Sequence, residues 1–360
     1  MEDALLGGLS PKEFLQRHWQ KRPLLVRRAL PGFRGVIAKR PLFALASSDE
    51  VESRLVERRG AHWRVTHGPI SQDRFKQTRA RDWTLLVNGV NQHAAPAEQL
   101  LRRFAFLPQA RLDDVMVSYA APGGGVGPHV DSYDVFLVQG AGRRLWRIER
   151  ARRFSLVERA PLKLIEDFSP QEEYLLEPGD LLYLPPGWGH DGIALGECFT
   201  CSVGFRAPRG AELGAAFLDY LHERGLPDAE YRDPGLKPAT QGGRIDGRMV
   251  EFAARLLGRI RWRRRDVEDF LGRFLTTPKP EVVFSPSRRG KGESIRLHPK
   301  TQLLYRGNRF FINGESFAVP RRQARTLAQL ADRRQASAKV LDRAGLGRLI
   351  SGWRQSGYLR

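Results

Sequence analysis

Cysteine is scarce in this chain, where only Cys198 and Cys201 occur among 360 residues. Two cysteines cannot build a disulfide framework, and this favours a reducing compartment such as the cytoplasm. They also cannot complete a zinc tetrahedron, because no second CxxC pair is available. Residues three apart on a strand face opposite sides, so we interpret both cysteines as packing residues rather than as a redox pair.

Long apolar runs are also absent. No stretch of the sequence approaches the roughly 20 apolar residues that a membrane-spanning helix needs. Residues 1–8 carry no basic segment ahead of an apolar core, so a secretion signal is not expected. Together with the cysteine content, these features predict a cytoplasmic protein that does not associate with a membrane.

Acidic residues are outnumbered by basic ones. The chain has 60 Lys and Arg and 40 Asp and Glu, which gives a formal net charge of +20. Such an excess favours a polyanionic partner, and nucleic acid or a ribonucleoprotein is the obvious candidate. The same excess of basic residues would arise in an organism whose proteins are generally rich in arginine and carry many basic, solvated surfaces. The hydrophobic content of 41% argues against wholesale disorder, and the length suits two or three domains.

The most informative motif that is present is an HxD pair followed by a distant histidine. His129 and Asp131 are two residues apart, so on an extended strand both side chains point to the same side. His190 follows a short apolar strand at Leu181–Leu184 and a Pro-Pro-Gly turn. Two imidazoles and one carboxylate hold a ferrous ion on one face and leave its other positions open. His129, Asp131 and His190 are therefore the predicted metal-binding and catalytic residues.

The sequence before His190 resembles the second motif of the cupins. Gly179, Pro185, Gly187 and His190 have the spacing of that motif, whereas Ala194 replaces the Asn with which it normally continues. The resemblance implies a double-stranded β-helix, which is a jelly-roll barrel.

Arg144 lies fifteen residues after His129. In the JmjC branch of the 2-oxoglutarate oxygenases, which this pattern resembles, a basic residue at this offset pairs with the distal carboxylate of the cosubstrate. A guanidinium offers that carboxylate an always charged, bidentate fork. Arg143 alternates to the opposite face and is expected to face solvent. The resemblance implies bound Fe(II), with 2-oxoglutarate and O2 as cosubstrates.

Ser202 lies in an alternating strand after His190. Related enzymes place a polar side chain near the metal or cosubstrate at this point, so the resemblance implies a cosubstrate-binding role. An ordinary strand serine is the alternative.

The chain is predicted to be an α+β protein with three regions. Residues 1–208 form the JmjC catalytic domain with an N-terminal helix, residues 209–277 a helical dimerisation region, and residues 278–360 a winged-helix-like domain. Leucine and aromatic stripes at helical spacing, such as Leu213 and Phe217, are usually core. Here they lack a large core of their own, which suggests packing against a second copy of the chain.

This order of regions looks like that of the bacterial JmjC ribosomal oxygenases over essentially the full length. The most specific stretch runs from Pro122 to Phe136, and the segments Gln139 to Arg144 and Ser202 to Pro208 support it. The resemblance implies hydroxylation of C3 of an arginine in the sixteenth protein of the large ribosomal subunit. An arginine would need acidic or aromatic partners near the mouth of the barrel, and the candidates are Tyr133, Asp134 and Asp191.

Other functions fit parts of the pattern. A related JmjC enzyme could hydroxylate histidine or demethylate lysine, and a cupin dioxygenase that uses no oxoacid would not need Arg144. A noncatalytic cupin that binds nucleic acid or the ribosome would keep the basic surface without requiring the three metal ligands. The basic aromatic run Arg259–Arg265 could contact nucleic acid, although a charged helix face explains it almost as well, and the basic surface as a whole could contact the ribosome or ribosomal RNA.

Overall fold

The computed structural model describes residues 5–150, 153–286 and 293–360. Residues 1–4, which begin the segment considered for a secretion signal, lie outside the described residues. The chain forms two compact units. The first contains Met1–Ala207, Lys279–Thr301 and Arg334–Arg360, and the second contains Pro208–Pro278 and Gln302–Arg333. The C-terminal part of the chain therefore contributes to both units, and the division into domains at 208 and 277 stays a prediction.

The first unit is built around two antiparallel sheets. Its strands up to residue 205 are β1 (Leu24–Val26), β2 (Ser53–Arg59), β3 (His62–His67), β4 (Trp83–Val87), β5 (Leu112–Ala120), β6 (His129–Val130), β7 (Val135–Gln139), β8 (Arg144–Arg150), β9 (Glu172–Leu176), β10 (Leu181–Leu184), β11 (Trp188–Ala194) and β12 (Cys198–Phe205). The larger sheet has the order β1-β10-β7-β12-β5-β4-β2-β3, and the smaller has the order β6-β11-β8-β9. The α-helices described in the same stretch of the chain are α1 (Pro11–Arg17), α2 (Lys39–Ala46), α3 (Gln72–Lys76) and α4 (Ala95–Arg102).

The remaining elements follow in chain order. They are α5 (Gly210–Glu223), α6 (Gly247–Leu257), α7 (Arg264–Thr276), β13 (Ser294–Arg296), β14 (Leu303–Arg306), β15 (Arg309–Ile312), β16 (Glu315–Ala318), α8 (Arg321–Arg333), β17 (Gln335–Ser337), α9 (Ala338–Arg343) and α10 (Gly347–Gln355). In the second unit, β14, β15 and β16 form an antiparallel sheet. None of the helices in the described ranges has the length and apolar character needed to cross a bilayer.

Several local signals in the sequence match the structure. The predicted N-terminal helix is present and begins with a capping box, in which Glu13 N donates to Ser10 Oγ and Ser10 N donates to Glu13 Oε2 at 3.0 Å. The two cysteines are buried in different apolar clusters, as expected for packing residues on opposite faces of β12.

A glycine divides the helical segment at the C-terminal end of the chain. Gly345 adopts a φ of 76° and separates α9 from α10. The run Arg259–Arg265 lies mostly between α6 and α7, and only Arg264 and Arg265 belong to a helix.

The alternation of β7 separates the core of the first unit from a cavity between the sheets. Val135 and Leu137 line the cavity, whereas Phe136 points into the main apolar core. Phe136 is fully buried. Its ring packs against four other aromatic rings, those of Phe14, Phe104, Tyr183 and Phe205. This cluster fixes one wall of the barrel.

Replacing Phe136 by alanine is expected to lower the free energy of unfolding by about 3 to 5 kcal/mol, because the cluster cannot close over the lost ring. Denaturant unfolding of purified protein measures the change. Leu195→Ala is the control, since Leu195 is 50% exposed and its truncation should cost less than about 0.5 kcal/mol. Equal losses in the two variants would contradict this assignment of the core.

Candidate active site

A cavity of about 600 Å³ lies between the two sheets of the first unit. The larger sheet contributes lining residues from β2, β4, β5, β7 and β12, and the smaller sheet from β6, β8 and β11. All three predicted metal ligands line the cavity. Arg144, Ser202 and Tyr133 line it as well. The structure thus brings together residues from widely separated parts of the sequence.

The three predicted metal ligands converge on one point. One potential ligand atom from each of His129, Asp131 and His190 lies within 4.8 Å of the others. The pairing of β6 with β11 places His129 directly opposite His190, and His190 Nε2 is 3.7 Å from Asp131 Oδ2. Within the described residues, this is the one group of three or more His, Cys, Asp or Glu with metal-binding geometry.

Backbone carbonyls orient both imidazoles. Nδ1 of His129 is 2.9 Å from the Gly127 carbonyl oxygen, and Nδ1 of His190 is 3.0 Å from that of Trp188. A carbonyl only accepts, so Nδ1 carries the proton and donates in each pair, and Nε2 is left to bind a metal. Burial, followed by the charge of His129, lowers the pKa of His190 to about 4. His190 is therefore neutral near pH 7, and a neutral imidazole is the form that binds a metal.

Arg144 is buried, with 4% of its surface exposed. Its Nη1 donates to Ser118 Oγ at 3.1 Å, while Nε and Nη2 have no hydrogen-bond partner within the described part of the chain. A buried guanidinium without a counter-ion is costly, so this arrangement fits a cavity that receives an anionic group. Arg143 is exposed, as its alternation predicted.

Ser118 was missed by the sequence reasoning, although its strand carries a signal. Along β5, Asp114, Met116 and Ser118 line the cavity, whereas Val115 and Val117 belong to the apolar core. This alternation of polar and apolar residues is typical of a strand with one apolar face. Asp113, which precedes Asp114 on the same strand, also lines the cavity.

Two of the three residues proposed from the sequence to bind substrate are placed elsewhere. Asp134 is fully buried and outside the cavity lining. It accepts from Tyr183 Oη at 2.6 Å and from Gln20 Nε2 at 3.0 Å. Asp191 points away from His190, its neighbour on β11, and pairs with Arg147 at 2.5 Å. Both carboxylates therefore serve internal contacts, and the sequence-based assignment to substrate is corrected.

Comparison with known proteins adds independent evidence. The JmjC domain family matches residues 99–213, and the ROXA-like winged helix family matches residues 259–360. The chain is 35% identical over 327 residues to the ribosomal protein uL16 3-hydroxylase of Escherichia coli strain K12, a match covering 87% of this chain and 86% of that protein. The chain belongs to the JmjC ribosomal oxygenases. It is also 38% identical over 210 residues to a probable ribosomal oxygenase of Haemophilus influenzae, a match that covers 57% of this chain and 52% of that one.

Solved structures of a ribosomal oxygenase share this fold. The X-ray structure of Escherichia coli ycfD superposes with a TM-score of 0.82 at 32% identity and covers 98% of both chains. The structure of that oxygenase with cobalt and 2-oxoglutarate has a TM-score of 0.80, again at 32% identity over 98% of both chains. The predicted fold, a JmjC jelly roll with helices and a C-terminal winged helix, is confirmed.

Proposed function

We propose that this JmjC ribosomal oxygenase uses Fe(II), 2-oxoglutarate and O2 to hydroxylate C3 of an arginine in ribosomal protein uL16. The observation that carries the proposal is the buried Arg144 guanidinium, whose Nε and Nη2 have no hydrogen-bond partner among the described residues, in the same cavity as the His129, Asp131 and His190 cluster. A 2-oxoacid with a second carboxylate requires a metal site for its oxoacid end and a cationic group for the second carboxylate. One cavity here contains residues for both. The similarity to a uL16 3-hydroxylase supports the choice of substrate.

The residues of the cavity fit these groups. His129, Asp131 and His190 would hold iron, because two imidazoles and one carboxylate form the facial set typical of non-haem Fe(II) oxygenases. Bound iron, together with 2-oxoglutarate and O2, supplies the oxidising power needed to hydroxylate an unactivated carbon. Arg144 would bind and orient the distal carboxylate of 2-oxoglutarate, with Ser118 holding the guanidinium in place. We propose Ser202, which is buried in the same wall, as a further contact to the cosubstrate.

The cavity also offers a place for a cationic side chain. Asp113 and Asp114 line it together with Tyr133, the one sequence-predicted substrate residue that remains a candidate. Carboxylates bind a guanidinium with charged hydrogen bonds, and an aromatic ring adds an attractive face. We propose that these three residues bind the arginine of uL16.

Replacing Asp114 by asparagine is expected to raise the KM for uL16 roughly 30-fold, which is the effect of losing a charged hydrogen-bond partner. The KM for 2-oxoglutarate should not change, because Arg144 remains intact. Steady-state assays with each substrate varied in turn measure both constants. Asp49→Asn changes an exposed aspartate of the same unit and serves as the control. A rise in both KM values, or in neither, would argue against this substrate site.

Incubation of the purified protein with uL16, Fe(II) and 2-oxoglutarate tests the proposed function. We expect the intact mass of uL16 to increase by one oxygen atom and fragmentation to place that oxygen on an arginine. Omission of 2-oxoglutarate should abolish the increase, and a cupin dioxygenase would not need it. Modification of a histidine, or demethylation of a lysine, would contradict the arginine assignment.

The proposal also includes the binding partners of the enzyme and its location in the cell. Helices α5 and α6 of the second unit expose large apolar side chains, among them Leu218, Val250 and Leu257. We propose that these helices form a homodimer interface, because apolar patches of this kind commonly mark protein contacts. The net charge of +20 supports contact of the basic surface with ribosomal RNA. The cytoplasm, where ribosomal proteins are made, is the proposed site of action.

A further inference from the structure

Lys279 connects the C-terminal part of the chain to the candidate substrate site. It lies between Pro278 and Pro280 and begins the segment Lys279–Thr301, which belongs to the first unit. Its Nζ is 3.3 Å from Asp113 Oδ1 and 3.9 Å from Asp114 Oδ2. A lysine 165 residues farther along the chain than Asp114 therefore contacts both carboxylates of the proposed arginine site.

The two oxygens of Asp114 have different surroundings. Oδ2 accepts a hydrogen bond from Gly89 N at 2.8 Å and also faces Lys279. Oδ1 lies toward Gly204, which lines the cavity, since a methyl group added at Gly204 would be 3.7 Å from Oδ1. Oδ2 is thus held by Gly89 and Lys279, and Oδ1 is on the side of the cavity. Lys279 lines the small neighbouring pocket rather than the cavity itself, so it does not occupy the place of a ligand.

Opposing influences act on the pKa of Asp114. Burial is the largest influence and raises its pKa to about 6, with Asp113 and Glu52 adding to the increase. Lys279 and the amide of Gly89 oppose it. Further groups around the aspartate pair are Arg206, which is 3.5 Å from Asp113, Tyr133, and Arg54, which lines the same cavity and acts on Tyr133. An opposite charge at this range lowers a carboxyl pKa by about 1 to 3, so loss of the lysine would favour the protonated acid near neutral pH.

The charge of Lys279 is secure. Burial alone would lower the pKa of Lys279, but Asp114 and Asp113 outweigh it and raise the pKa above the ordinary value. The amine therefore stays protonated throughout the range in which Asp114 titrates.

We propose that Lys279 is a positioning residue for the substrate, which keeps Asp114 charged and turned so that its free oxygen can bind a guanidinium. This inference rests on the proposed function, in which Asp114 binds the arginine of uL16. It differs from a purely structural role, in which Lys279 would only fasten the C-terminal segment. Loss of a purely structural residue would affect stability and all kinetic constants at every pH. Loss of a positioning residue would affect binding of the cationic substrate in a pH-dependent way.

Lys279→Met tests the proposal in the full-length enzyme with uL16 as the probe. We expect the KM for uL16 to rise about 10-fold at about pH 7 and only about 2-fold at about pH 8.5, because a higher pH ionises Asp114 without the help of the lysine. The kcat and the KM for 2-oxoglutarate should change less than about 2-fold, since the metal and Arg144 are untouched. Lys279→Arg retains the charge and should restore most of the affinity for uL16.

Lys300→Met is the matched control, because Lys300 lies in the same segment and pairs with Glu50 away from the cavity. It should leave the KM for uL16 close to that of the wild type. The proposal is overturned if Lys279→Met has the wild-type KM, if its effect is the same at both pH values, or if Lys300→Met has an equal effect.

A second measurement keeps this inference separate from the choice of substrate. In protein labelled with ¹³C at the aspartate carboxyl carbon, the Asp114 resonance is identified by its loss in Asp114→Asn. Its titration midpoint should be higher by about 2 in Lys279→Met than in the wild type, which is the shift that the expected rise in KM requires. If wild-type enzyme leaves uL16 unmodified, the proposed function fails, and this titration alone decides the role of Lys279. An unchanged midpoint would then refute it.

Discussion

Asp131→Ala is expected to reduce hydroxylation of uL16 by at least about 10³-fold, which corresponds to roughly 4 kcal/mol of lost transition-state stabilisation. The reason is loss of the metal. Asp131 supplies the one carboxylate of a cluster whose other members are His129 and His190. Two neutral imidazoles alone bind Fe(II) weakly and leave its orientation toward the cavity undefined.

The same variant should lose bound iron while keeping its fold. Metal content after dialysis, circular dichroism and hydroxylation rate measure the three properties on one sample. Asp73→Ala removes an exposed carboxylate that pairs with Lys76 on α3, and it should behave like the wild type. Hydroxylation at the wild-type rate by Asp131→Ala would overturn the metal assignment.

Arg144→Met is expected to raise the KM for 2-oxoglutarate by about 100-fold or more, because a desolvated, bidentate ion pair is lost. Binding of Fe(II) should be preserved, since Arg144 is not one of the three clustered ligands. The variant should also lose the preference of the enzyme for 2-oxoglutarate over a 2-oxoacid that lacks the distal carboxylate. Steady-state assays with the two oxoacids measure this preference directly.

Arg143→Met provides an unusually close control for that experiment. Arg143 is the preceding residue and carries the same charge, but it lies just before β8 and is exposed. Its replacement should change the KM for 2-oxoglutarate by less than about 2-fold. Similar effects of the two substitutions would show that general positive charge, rather than the buried guanidinium, attracts the cosubstrate.

The metal cluster was predictable because its geometry is largely local. The HxD spacing places two ligands on one side of a strand, and the Pro-Gly turn before His190 marks the third. The choice of Arg144 over Arg143 needed the family resemblance as well as alternation. The structure explains it, since the Arg144 side chain lies in the cavity and donates to Ser118.

The substrate residues were harder to predict because proximity in sequence to the ligands was a poor guide. Asp191 adjoins His190, and the two-residue period of a strand already directs it to the other face. Asp134 is close to Asp131 but lies beyond a turn and joins a buried network with Tyr183. Asp113 and Asp114 are adjacent on β5 and both line the cavity, so alternation along the strand does not single out either aspartate. Lys279 is brought close only by the return of the chain after the second unit.

The intact mass of uL16 from ribosomes of cells with and without this gene tests the central claim most directly. We expect uL16 from wild-type cells to be heavier by one oxygen atom, with the difference abolished by deletion of the gene. A plasmid copy of the wild-type gene should restore the difference, and a copy carrying Asp131→Ala should not. Identical masses of uL16 in the wild-type and deletion strains would contradict the proposed function.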